Sequence, residues 1–224
     1  MSDDAAAPAG PATPRRRGYA KGRARRDEII RIATEHFAER GFQAATILDI
    51  AAACGISRAG LLHHFPDKEH LLEAVLEARD AEDRDRFNPY VEAAGAIGVF
   101  RGMVDLAEHN RLVPGLIELF VRLSAEASTP EHPAHEYFRE RAERIRVGTA
   151  RAVRGAVRAG HLRAGLEADS AALQLGALMD GLQSQWLFDR SIDLAGSVRD
   201  LLDDWMTPEG RRAFDAVEPV AHVA

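Results

Sequence analysis

Only one cysteine, Cys54, occurs in the 224 residues. A single thiol excludes an intrachain disulfide framework and any multi-cysteine zinc or iron–sulfur site within one chain. No run of about 18 apolar residues is present, which argues against a membrane-spanning helix. The opening MSDDAAAPAGPATP lacks the apolar stretch of a secretory signal, so the expected address is the cytoplasm. Strand-like alternation is nearly missing and no internal repeat is visible. A Gly-rich phosphate loop, a G-x-S-x-G elbow and an H-E-x-x-H helix are all absent, so no catalytic residue and no cofactor is expected. The His-x-x-His of Glu131-His132-Pro133-Ala134-His135-Glu136 is the one cluster of metal-ligating types. It sits at a proline-interrupted helix start with no second pair at ligand spacing, and it reads as a capping region with no metal.

What is present is a folding composition, 46% hydrophobic, with an uneven charge. The formal total is −6, yet residues 15–68 carry eleven Lys/Arg against six Asp/Glu, and residues 69–224 carry 18 against 27. A basic front module on an acidic body is the distribution expected when only the module meets phosphate. Residues 1–18 combine Ala, Pro and Gly with no hydrophobic period and end in Arg15-Arg16-Arg17, which reads as a disordered arm.

The next stretch is helical. Ile29, Ile30, Ala33 and Phe37 recur at helical spacing until Gly41 and predict a helix over about 21–40, with Lys21, Arg23, Arg25 and Arg26 at its start. Thr46 can cap a second helix, whose face is Ile47, Ile50, Ala51 and Cys54, with Asp49 reaching back. Gly55 offers a turn, Ile56 plugs the angle, and Ser57 caps a third helix reaching about Phe65 before Pro66. Asp67 caps a fourth with Leu71, Leu72, Val75 and Leu76 on its apolar face, running to about Arg86. Beyond Asn88-Pro89, breaks near Asn110, residues 128–130, 160–165 and 189–193 leave about five more helices. The fold class is all-α: a head over 19–66, a helical body over 67–215 and a tail over 216–224.

Two short helices around a glycine turn fit a helix-turn-helix, the second helix entering the major groove. Read as one string, from Thr46-Ile47-Leu48-Asp49 through Leu61-Leu62-His63-His64-Phe65-Pro66-Asp67-Lys68, the segment resembles the DNA-binding signature of the TetR family. The resemblance covers about residues 23–72 and includes Ala33, Phe37 and Gly41-Phe42. It implies a homodimeric regulator that binds a double-stranded operator, represses transcription, and is released by a small-molecule effector. Leu62 stands where the family usually has a DNA-touching tyrosine, Ala59 where glycine is common, and Cys54 where alanine is usual.

Arg58 lies in the first turn of the recognition helix, where a guanidinium can bind guanine bidentately. The expected DNA-binding residues are Thr46, Ser57, Arg58, Ala59, Gly60, His63, His64 and Lys68; the resemblance implies phosphate contacts for Thr46 and Lys68, and both stand at helix starts, which favour anions. Leu61 and Phe65 belong to the core. In the body, residues 171–188 read as one helix with two stripes. Leu175, Leu178, Leu182 and Trp186 face inward, and Leu173, Ala177, Gly181 and Ser184 face a partner copy, with a helix over 194–206 completing the interface. Phe100, Met103, Phe120, Tyr137 and Trp186 are the candidates for an effector pocket. A helical interaction protein that has lost DNA binding is the alternative, and the clustered basic segment tells against it.

Overall fold

The computed structural model describes residues 14–113 and 115–220, with side chains from residue 22 onward. Among the described residues the chain forms nine α-helices: α1 Pro14–Ala44, α2 Ile47–Ala53, α3 Arg58–His64, α4 Lys68–Leu112, α5 Leu116–Glu126, α6 His135–Arg158, α7 Ala168–Trp186, α8 Leu194–Trp205 and α9 Pro208–Asp215. No helix among them is long and apolar enough to cross a membrane.

Local signals set the front of the molecule. Ile29, Ala33 and Phe37 are fully buried on one face of α1. Thr46 accepts the Asp49 N–H at 3.1 Å, Ser57 the Gly60 N–H at 3.0 Å, and Asp67 the His70 N–H at 2.8 Å, so all three expected caps form. Asp49 does not close a capping box; its carboxylate accepts from Arg40 at 3.3 Å. Helix α1 begins at Pro14, inside the segment expected to be an arm, since proline suits a first helical turn. Residues 1–13 of that arm, and the side chains of Arg15-Arg16-Arg17, lie outside the described residues.

The body departs from expectation at one decisive place. Helix α4 passes through Asn88-Pro89, whose fixed φ is compatible with helix, and reverses at Gly95 (φ 55°, ψ −126°). Arg79 then meets Asn110 across the two limbs at 3.4 Å, and Arg86 meets Asp105 at 3.6 Å, the register of an antiparallel hairpin. The limbs approach closely because Gly98 has no side chain. The carbonyl of Tyr90 occupies the place its Cβ would take, with the carbonyl carbon 2.7 Å from that point. The expected tail also packs: Val217 is buried, and the Val220 N–H donates to the Tyr90 hydroxyl at 3.0 Å. Residues 221–224 lie outside the described residues.

Two hydrophobic clusters result. The body cluster joins the second limb of α4 to α6, α7, α8 and α9 around Phe100, Val153, Leu175, Leu202 and Phe214. The head cluster joins α1 to α3 and the first limb of α4, but it also takes Leu119 and Leu123 from α5, Ala127 just after it, and Ala134 before α6. Helix α5 is therefore wedged between head and body. Its Arg122 donates to the Glu39 carbonyl at 2.5 Å, and its Glu126 accepts the Phe42 N–H at 3.0 Å.

Candidate nucleic-acid interface

Helix α3 stands on two buried side chains, Leu61 and Phe65, which anchor it in the head cluster. Its opposite face is open: Ser57, Arg58, Ala59 and His63 are exposed, and Gly60, Leu62 and His64 are half-buried. The short helix can present its first turn to a groove because Ser57 satisfies the Gly60 N–H without a bulky side chain. Among the described residues the Arg58 guanidinium makes no hydrogen bond or ion pair, so its donors are available to base edges. His63 and His64 lie edge to face at 5.7 Å, and burial followed by His63 holds His64 below its ordinary value. Thr46 is exposed at the start of α2.

The basic residues behind this face have other employment. Arg25 donates to the Cys54 carbonyl at 2.7 Å and so closes the end of α2 onto α1. Arg26 stacks on Phe65, 4.3 Å from its ring centre. Lys68, expected on phosphate, directs its ammonium to the carbonyls of Phe42 at 2.9 Å, Ala45 at 3.1 Å and Gln43 at 3.4 Å, and it lies 4.3 Å over the Phe42 ring. It caps the end of α1 from the start of α4. Lys68→Met keeps the apolar stem but strips those carbonyls of their donor, so a stability loss of about 1–3 kcal/mol is expected. Thermal melts measure it, and the slope of DNA affinity against salt should change by less than about one unit.

The junction behind the head was invisible in the sequence. His132 is buried, its Nδ1 accepts the Ala134 N–H at 3.1 Å, its Nε2 lies 3.8 Å from Glu126, and its ring packs edge-on against Phe42 at 5.1 Å. Burial holds its pKa below the ordinary value, Glu126 pulls it up, and Lys68 pushes it down. Burial also lowers His64 and His109, while the Asp67 hydrogen bond raises the exposed His70. A histidine depressed in the fold protonates more readily unfolded, so its contribution is complete above about pH 6.5 and is lost as pH falls below that value. Melting temperature is expected to hold between about pH 7 and 8 and to decline below about pH 6.5, with a shallower decline in His132→Gln.

The body carries the other expected sites differently. Leu175 and Trp186 are buried on the inner face of α7, while Leu173 and Ala177 are exposed and Gly181 and Ser184 half-exposed along the other. The five pocket candidates do not gather around one cavity. Phe100, Met103 and Trp186 are in the body cluster, Tyr137 packs with Phe138 against the head cluster, and Phe120 meets Phe138 at 5.2 Å. A crevice does lie between the second α4 limb, α7 and α8, lined by Ala107, Asn110, Met179, Leu182, Gln183 and Val198. It holds about 10 Å³, room for one water at most. Among the described residues no group of histidine, cysteine and carboxylate side chains is arranged for a metal.

A capped two-helix unit with an open recognition face on an all-helical body defines a helix-turn-helix DNA-binding protein. The family model for bacterial regulatory proteins of the TetR family matches residues 29–75. The chain is 30% identical over 182 residues to the HTH-type transcriptional repressor AcnR of Corynebacterium efficiens, spanning 80% of this chain and 90% of that protein. It is 29% identical over 204 residues to the HTH-type transcriptional regulator TtgR of Pseudomonas putida, spanning 80% and 88%. A solved regulator from Saccharomonospora viridis, in complex with choline, superposes with a TM-score of 0.63 at 25% identity over 80% of this chain and 93% of that one. The chain belongs to the TetR family and is a DNA-binding transcriptional regulator.

Proposed function

We propose that the chain is a cytoplasmic homodimeric repressor that leaves its operator when a small molecule enters the body. The observation that carries the reading is the free Arg58 at the exposed start of α3. Arg58, Ala59, Gly60 and His63 read the groove, with Leu62 and His64 at its margin. Thr46 and Ser57 position the backbone at helix starts, and Lys68 braces the unit from behind. One head offers too little contact for tight specific binding, so two copies read half-sites about 34–36 Å apart or a multiple of that. The unpartnered stripe of Leu173, Ala177, Gly181 and Ser184 supplies the contact between copies. The choline held by the Saccharomonospora viridis relative supports a body that takes a small molecule. Helix α5, tied to Glu39 and Phe42, offers a second route beside α4 by which a shifted body can move the head. Fluorescence anisotropy with the DNA upstream of the coding region tests the proposal. Binding that weakens steeply with salt and saturates at two chains per site is expected, and salt-insensitive or absent binding overturns it.

A further inference from the structure

Resting on the effector response just proposed, the geometry points to the class of effector: an organic carboxylate with an apolar body, its head on Arg79 and its body in the crevice beside Asn110. Arg79, on the first limb of α4, is 7% exposed. Its Nε faces Asp83 at 3.3 Å and its Nη2 donates to Asn110 at a long 3.4 Å, while its Nη1 is buried with no partner. A buried guanidinium nitrogen without an acceptor is costly, and the Nη1–Nη2 edge is one of the two that can meet a carboxylate with two parallel bonds.

The surrounding charges favour one negative guest. Arg141 is held by Asp80 at 3.0 Å and by Asp83 at 3.6 Å, and Arg144 shares Asp80 at 2.8 Å. Three guanidinium groups thus divide two carboxylates, a surplus of one positive charge. Asp180, exposed on α7, is a further carboxylate within electrostatic reach of Arg141 but makes no ion pair with the cluster among the described residues. Phe120 closes the other side, its ring centre 5.4 Å from the Arg79 guanidinium and 4.4 Å from that of Arg141.

Asn110 joins this head site to the crevice, because the same side chain bonds Arg79 and lines the wall. The remaining wall is largely apolar and includes Met179, whose flexible thioether yields more readily than a branched side chain. An apolar body entering here parts α7 from the second α4 limb, and α7 carries the stripe that faces the partner copy. Head recognition and dimer geometry are thereby set by one guest.

The test uses the full-length chain and the fluorescence of Trp186 and Trp205, both in the body cluster. Hexanoate, octanoate and decanoate are titrated against hexanol, octanol and decanol, with decyltrimethylammonium as the cationic control. At least one carboxylate is expected to bind at least about tenfold tighter than its alcohol, and Arg79→Lys, which keeps the charge beside Asp83 but loses the fork, should bring the two to parity. If Arg79→Lys does not fold, the wild-type comparison decides alone. No carboxylate binding, equal binding of alcohol or cation, or a preference that survives in folded Arg79→Lys overturns the inference. A chain that binds its upstream DNA but ignores every carboxylate overturns only this assignment. Carboxylate binding that leaves DNA affinity unchanged supports the site and overturns the release mechanism.

Discussion

Gly98→Ala is expected to lower stability by about 3 kcal/mol or more, a fall of roughly 6–12 °C in melting temperature for a chain of this size. The added methyl would stand on the Tyr90 carbonyl, with the Ala94 Cβ only 3.3 Å from it, and a backbone carbonyl cannot swing aside as a side chain can. The limbs of α4 must separate, and the Arg79–Asn110 and Arg86–Asp105 contacts that span them lengthen with the hairpin. Gly148→Ala is the matched control. It lies exposed within α6 with nothing near its Cβ position, and alanine there should gain up to about 1 kcal/mol from helix propensity. Equal melting of the two variants would show that the close approach of the limbs is not what Gly98 provides.

Arg58→Ala is expected to act in the opposite sense, leaving folding intact and function lost. The side chain makes no polar contact among the described residues, so stability should stay within about 0.5 kcal/mol of the wild type, read from thermal melts. A lost bidentate base contact costs about 1–3 kcal/mol in each half-site, and a dimer reads two, so affinity for the specific site should fall at least tenfold. Affinity for unrelated DNA should fall far less, because phosphate contacts carry no sequence information. An equal loss on both DNAs would make Arg58 a phosphate contact; no loss on either would remove it from the interface.

The caps of Thr46, Ser57 and Asp67 act over three residues, and the turn at Gly55 acts on its own backbone (φ 66°), so the helix-turn-helix was legible from local chemistry. The reversal of α4 was misplaced because Asn88-Pro89 carries the stronger local break signal, while the true turn needs the positive φ that Gly95 permits. The local sequence around Lys68 points to phosphate, because its partners, the carbonyls at the end of α1, lie 23–26 residues away. Glu126 reaches Phe42 across 84 residues, and no periodicity reports such a pairing. The effector candidates of the sequence are mostly aromatic residues on helices. Packing sent Phe100 and Trp186 into the core and left the polar Arg79 and Asn110 beside the crevice.

The wedge of α5 has a consequence for modularity. The sequence places the border between reader and sensor at Pro66, yet the head's hydrophobic cluster does not end there: Leu119, Leu123, Ala127 and Ala134 come from beyond the α4 hairpin. A fragment cut at residue 66 would leave Phe37, Phe42 and Phe65 without part of their cover, and so would a graft of this reader onto another sensor at the same seam. The transplantable unit is discontinuous in sequence. Exchanging operators between regulators built this way means carrying the inner face of α5 along with the recognition helix.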